Sequence, residues 1–444
     1  MGNIRRLTSV VEQMVDAKTG LIKLCYELQP EPDSPQFFHY YAHTSDTAAF
    51  SGQSNFRNTG GVATSRRVAM AKAIGEAIER YSSALYAIES FPLVSAQNAQ
   101  FRCVAPAAFQ YYNDAQFADP LFSYKPFNAS TRVRWTPAVD LMDMSEVHVP
   151  ACAVWMPYYF DLGSGETPIM QPISSGLAAH CSLEEATLGG LLEVIERDAF
   201  SLTWQGGLSH PKIRIETLSD ANYDLVRRIE ATGHEVHLLN ATTDLGVPVV
   251  ISVAYHPQQP APPLVVAAAA ELDPEEAVRK TLEELVHTSR YMREVQDWHE
   301  PFDAGENWSG VNEQIQHLRL WGDRSMLEHA RFLTASPKRV DFGELPNLAN
   351  KSVKSVKSVG RATRSLVEQI DRHGFRCYAV DLTSPDVAQM GMRVVRALIP
   401  GLHPFFIGHR NRARNCPRLF EAPQRMGFKP ILPGQDNPVP HPFP

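Results

Sequence analysis

Apolar positions along the chain follow two rhythms. Helical spacing, with an apolar residue at every third or fourth position, is clearest near 65–88, 182–204, 215–232, 273–293 and 361–373. Short apolar runs predict strands at GLIKLCYEL (20–28), FFHYYAH (37–43), VRWTPAVDL (133–141) and VHVPACAVWM (147–156). The rest of 90–175 reads as irregular chain rich in aromatics and proline.

One supersecondary pattern occurs twice. Residues 225–255 (LVRRIEATGHEVHLLNATTDLGVPVVISVAY) and 366–399 (LVEQIDRHGFRCYAVDLTSPDVAQMGMRVVRALI) each read as helix, glycine, strand, polar loop and strand. Gly233 and Gly374 suit helix C-caps because glycine accepts a left-handed backbone cheaply. Two such units predict an α+β protein with pseudo-symmetric halves, its sheets packed against helices. An ordinary succession of helices and strands would give the same pattern, so this repeat alone leaves both readings open.

A second similarity is sharper. Helices opening at Ser65, Ser182 and Asp273 share one template, with Ala69, Ala186 and Ala277 four residues on and Glu76, Glu193 and Glu284 seven further. Each opening residue is an N-cap type, and Pro274 suits the first helical position. The first two helices continue as Glu-x-Ile-Glu-Arg: Glu76, Glu79 and Arg80, then Glu193, Glu196 and Arg197. Acids three apart face the same way on a helix and repel, and these lie among Ala73, Ile74, Ala77, Ile78, Leu191, Leu192, Val194 and Ile195. Converging carboxylates call for a cation, and hard oxygen ligands suit Mg2+. Adjacent arginines carry the forked donors that grip phosphate oxygens. A single helix of this kind would read as a solvated charged face, but its recurrence within a longer template favours a magnesium–nucleotide site. Glu185 completes a capping box with Ser182, as Glu276 follows Asp273; capping alone explains Glu276, whereas Glu185 is open to either role.

Composition adds bounds. With 444 residues, 44% of them hydrophobic, and a net charge of −7, the chain can bury a large core but has no global attraction to nucleic acid or anionic membrane. No apolar run reaches membrane-spanning length, and the start MGNIRRLTS lacks a signal-peptide core. Cysteines 25, 103, 152, 181, 377 and 416 form no Cys-x-x-Cys pair, so a reduced cytoplasmic protein is expected. The segment DLGSGETP (161–168) has no P-loop lysine and reads as a flexible loop. The basic tract KSVKSVKSVG (351–360) reads as a mobile loop or as a contact for an acidic leader peptide.

The block SSGLAAHCSLEEATLGGLLEVIERDAF (174–200), with GEAIERYS (75–82), PGLHPFFIGHR (400–410) and the alternating prolines at 438, 440, 442 and 444, resembles the YcaO family over residues 55–444. The resemblance implies an ATP- and Mg2+-dependent enzyme with that family's own α+β fold. It divides the chain into an N-terminal extension (1–55) and a YcaO domain (56–444). In azoline-forming members a Cys, Ser or Thr side chain attacks the preceding amide carbonyl, and ATP phosphorylates the amide oxygen to make it a leaving group. By the same resemblance Glu76, Glu79, Glu185, Glu193 and Glu196 match the metal-binding acids. Lys72, Arg80, Ser174, Arg197 and Glu284 match positions at the nucleotide, and the Pro444 carboxylate matches the group that moves protons during cyclisation. The chain departs from the family at Lys72, where Ser is frequent, at Ser175 and Cys181, where Asn is common, and at His287, where Gln is usual.

The short N-terminal region and the proline-rich end are similar to the stand-alone, D-type cyclodehydratase subunits. These imply a precursor peptide and a ThiF-like leader-binding partner, with a flavin dehydrogenase and a homodimer as further associations. Two other readings stay open: peptide thioamide formation, and a non-catalytic scaffold suggested by Cys181 and His287.

Overall fold

The computed structural model describes residues 14–31, 33–258, 261–349 and 356–443. Its main helices in chain order are α1 (Arg66–Ser82), α2 (Leu183–Gln205), α3 (Asp220–Glu230), α4 (Pro274–Trp298), α5 (Gln314–Leu320), α6 (Val356–Arg372) and α7 (Pro417–Arg425). The chain forms two compact units, one of residues 1–28, 38–194 and 350–402, the other of 29–37, 195–349 and 403–444. It passes from the first to the second within α2.

In the first unit, strands Ile22–Glu27, Phe38–Thr44 and Asn58–Ala63 form an antiparallel sheet in that order. α1 lies on this sheet through Ala69, Ala73, Ile74, Ala77 and Ile78, all buried. Gly61 permits the approach, since a Cβ there would stand 2.2 Å from the Ala69 carbonyl and 2.5 Å from the Ala73 nitrogen. A second sheet runs Leu93–Ser95, Arg132–Asp140, Tyr378–Asp381, Arg393–Leu398 and Leu177–His180, with Glu146–Pro150 paired to Arg132–Asp140.

The second unit is built on a sheet ordered Leu264–Ala270, Val249–Tyr255, Glu235–Asn240, Lys212–Ile213 and Arg339–Val340. Its two apolar strands are buried almost throughout, as strands covered on both faces must be. α4 packs on them through Ala277, Val278, Leu282, Leu285 and Val286.

The repeated pattern is present, one copy in each unit. α3 ends before Gly233 (φ 92°) and feeds the antiparallel pair Glu235–Asn240 and Val249–Tyr255. α6 ends before Gly374 (φ 84°) and feeds Tyr378–Asp381 and Arg393–Leu398. The protein is α+β.

Five local expectations change, the first being the strand expected over 147–156, which ends at Pro150, where Ala151–Ala153 forms a 3-10 turn. Helix 215–232 begins at Asp220, because Ile215–Thr217 forms a separate 3-10 turn and Ser219 accepts the Asn222 N–H as cap. Helix 65–88 stops at Ser82, where the Ser83 hydroxyl bonds the Met156 carbonyl (2.8 Å). The segment 161–168 is pinned: Glu166 is buried, accepts from the Tyr158 hydroxyl (2.5 Å) and pairs with Arg134. Within the tract 351–360, residues 351–355 lie outside the described residues, whereas 356–360 form the first part of α6.

Candidate active site

In the first unit, the apolar face of α1 fixes where its acids stand. Glu76 accepts the Gly60 N–H through Oε2 (3.2 Å) and Arg80 through Oε1 (3.2 Å). Glu79 accepts the Ala179 N–H (2.8 Å), which ties α1 to strand Leu177–His180. Glycines place Glu193 as well. A Cβ on Gly190 would lie 2.6 Å from the Gly176 carbonyl and 2.9 Å from the Ala397 Cβ, so α2 approaches this sheet closely.

The electrostatics are unfavourable for anions left alone. Desolvation, with the Glu193 charge added to it, pushes the Glu79 carboxyl well above the usual carboxylate range, and Arg80 only partly opposes this. Arg396, on strand Arg393–Leu398, is 3% exposed, and its Nε and Nη1 have no hydrogen-bond partner among the described residues. Burial lowers its pKa to about 10, against the pull of Glu193 and with a push from Arg80. Carboxylates strained by mutual charge and a buried guanidinium with unmet donors together fit a cation and an oxyanion ligand.

Other matched residues of this unit make local contacts. Glu185 meets His180 Nδ1 (2.8 Å) and the Ser182 hydroxyl (3.0 Å), while its N–H donates to Ser182 Oγ (3.2 Å). The Ser182 side chain thus caps the first turn of α2 through the Glu185 N–H. The Ser174 carbonyl accepts the Leu177 N–H in the turn before that strand, and Lys72 is half-buried on α1. Cys181 lies against the Met392 sulfur (4.0 Å).

In the second unit, Glu196 and Arg197 follow on α2, with Arg197 Nε 3.5 Å from Glu196. The Arg197 guanidinium sits over the rings of Phe443 (4.6 Å) and Phe405 (5.3 Å). Lys280 is ion-paired with Glu271. Burial disfavours its charge, but Glu271 more than offsets this and Glu196 adds to the effect, so its pKa is raised. On α4 the buried acid is Glu283, bound to Arg279 (2.7 Å). The template acid Glu284 is more exposed and stands 3.7 Å from His287.

The alternating-proline segment is built into this unit. Val439 to Phe443 are buried. Polyproline chain makes no internal hydrogen bonds, so its buried carbonyls need outside donors. Arg412 reaches the Asn437 carbonyl (2.7 Å), His409 the backbone of Pro438, Trp204 Nε1 the Val439 carbonyl (2.8 Å), Trp321 Nε1 that of Pro440 (3.0 Å) and His317 Nδ1 that of His441 (3.0 Å). Pro444 lies outside the described residues. Among the described residues, no three His, Cys, Asp or Glu side chains are grouped closely enough to hold a metal ion, and no helix is long and apolar enough to cross a membrane.

Residues 60–403 match the family described as YcaO cyclodehydratase, ATP- and Mg2+-binding. The chain belongs to the YcaO family. An uncharacterized protein of Methanothermobacter thermautotrophicus is 28% identical over 359 residues, covering 78% of this chain and 82% of that one. Among solved structures, a heterocyclase in complex with substrate and cofactor superposes with a TM-score of 0.80 at 21% identity, over 99% of this chain and 57% of its own. YcaO from Methanopyrus kandleri, bound with AMPPCP and Mg2+, gives 0.65 at 21% identity over 90% of both chains. This YcaO chain thus spans a little over half the length of the heterocyclase it superposes on.

Two participants escaped the sequence reading. Arg396 interrupts the apolar run VVRALI at the place where the other repeat has Ile251, and that break in pattern was its signal. The contact of the Arg197 guanidinium with the Phe443 ring joins residues far apart in sequence and had no signal.

Proposed function

We propose that this YcaO protein is an ATP- and Mg2+-dependent cyclodehydratase that converts Cys, or Ser and Thr, of a ribosomally made precursor peptide to thiazoline or oxazoline. The observation that carries the reading is the first-unit cluster: Glu79 desolvated beside Glu193, with the Arg80 and Arg396 guanidinium groups acting on the same carboxylates. Such a cluster is uncomfortable alone and matched to a cation with phosphate oxygens.

In this reading Glu76, Glu79, Glu185, Glu193 and Glu196 are the acids that would hold Mg2+. Bound there, the ion would screen phosphate charge and orient the group transferred. Lys72, Arg80, Ser174, Arg197 and Glu284 are the residues this reading assigns to the nucleotide, the two arginines to its phosphate oxygens. The substrate side chain attacks the preceding amide carbonyl, the γ-phosphoryl group of ATP would pass to the resulting oxygen with release of ADP, and loss of phosphate together with the amide N–H proton forms the C=N bond of the ring. The proton released by the attacking group passes to a base, a role assigned to the Pro444 carboxylate. A precursor peptide and a ThiF-like partner complete the reaction, and a flavin dehydrogenase would act on its product.

The test is to incubate the purified protein with precursor, partner and Mg-ATP and to weigh the peptide. Loss of one water per ring supports the reading. Exchange of oxygen for sulfur identifies thioamide formation instead, and an unchanged mass with no nucleotide binding identifies a scaffold. Adding one glycine after Pro444 should lower ring formation far more than ATP binding if its carboxylate is the base.

A further inference from the structure

The Arg197 guanidinium carbon sits over an aromatic ring in the carboxy-terminal segment of its own chain. It lies 4.6 Å from the centre of the Phe443 ring, closer than its 5.3 Å to Phe405. Phe443 is itself held. It is 4% exposed, its ring centroid stands 4.2 Å from that of Phe200 and 5.7 Å from that of Phe405, and the backbone before it is fixed by donors at each carbonyl from Asn437 to His441.

Stacking engages the face of a guanidinium, while its N–H donors radiate in its plane, the geometry in which two phosphate oxygens are gripped at once. A long arginine side chain otherwise loses rotamer freedom when it binds. We propose that Phe443 is a positioning residue for Arg197, holding its guanidinium plane ready for the nucleotide phosphates, so that the proline-rich segment serves the phosphate side of the site. This rests on the nucleotide role proposed above for Arg197.

The test is calorimetric titration of the full-length protein with Mg-ATP. Phe443→Leu keeps apolar bulk and removes the ring, and should weaken binding roughly three- to tenfold and raise the KM for ATP, with a smaller effect on kcat. Phe443→Tyr keeps the ring and should bind close to wild type. In an Arg197→Ala background, Phe443→Leu should add nothing, whereas a merely structural role would leave its penalty in place. Melting temperatures of all variants check that each is folded. Wild-type affinity in Phe443→Leu, or a penalty that persists without Arg197, overturns the inference. Unchanged affinity in Arg197→Ala overturns the nucleotide role itself, and this inference with it.

Discussion

The imidazoles of His317 and His441 lie against each other, ring centroids 4.1 Å and planes 17° apart. His317 donates through Nδ1 to the His441 carbonyl and accepts the Gly408 N–H at Nε2 (3.1 Å), so the geometry requires a neutral ring. Burial, the dominant cause, lowers the pKa of His317 from 6.5 to about 4 and that of His441 well below 6.5, with the His317 charge adding to the effect on His441.

That pair makes the second unit acid-sensitive. Unfolded imidazoles take up protons below 6.5, whereas the folded His317 does so only near 4, so the stabilisation is full above 6.5 and lost as pH falls towards 4. The loss is on the order of 1 kcal/mol per imidazole for each pH unit below the unfolded value. Melting curves from pH 8 to pH 5 should show the temperature falling below pH 6.5, and His317→Asn should flatten the slope. An identical slope in the variant would contradict the assignment.

Glu79→Gln should separate stability from function. The amide removes a desolvated charge next to Glu193, so the metal-free protein should melt about 1 to 3 °C higher. Turnover should nevertheless fall roughly 100-fold or more if the carboxylate helps hold the ion at the transferring phosphate. Because the Glu79 carboxyl titrates above its ordinary range, Mg2+ affinity in the wild type should rise with pH and release protons, and the variant should show less of both. Calorimetry in two buffers of different ionisation enthalpy measures that release.

Arg396 offers a comparable contrast. Removing a buried charge with unmet donors by Arg396→Met should leave the melting temperature equal or higher, since such charges cost desolvation. Nucleotide affinity should fall on the order of tenfold or more, the scale of a hydrogen bond to a charged group. A large loss of stability with unchanged affinity would make Arg396 structural.

Much of this was legible because it is periodic. The helix template placed Glu76, Glu79, Glu193 and Glu196 on α1 and α2, and the paired helix–glycine–strand units appear one in each half with Gly233 and Gly374 at positive φ. What escaped depends on contacts without local pattern. Ser65 stands at the start of α1, yet among the described residues its side chain makes no capping bond. The segment 161–168 looked flexible because nothing in its own residues announces that Arg134 and Tyr158 pin Glu166. The prolines of 438–444 predicted stiffness, but not that indoles and imidazoles from three distant segments would bond their carbonyls.

Trp321→Phe tests that bonding. Phenylalanine keeps an aromatic ring against Trp204, whose centroid lies 5.3 Å away, and deletes only the donor to the Pro440 carbonyl. A buried carbonyl left without a partner costs about 1–3 kcal/mol, so the variant should melt several degrees lower. The loss should concentrate in the carboxy-terminal segment: limited proteolysis should release peptides beginning near Asn437 sooner than from wild type. Mg-ATP binding should weaken in step, because Phe443 then supports Arg197 less firmly. Pro438→Ala is the control, since Pro438 is exposed and its carbonyl is retained for His409. If both variants are cleaved at the same rate, the donors along this segment add nothing to its anchoring, and burial of Val439, His441 and Phe443 alone holds it in place.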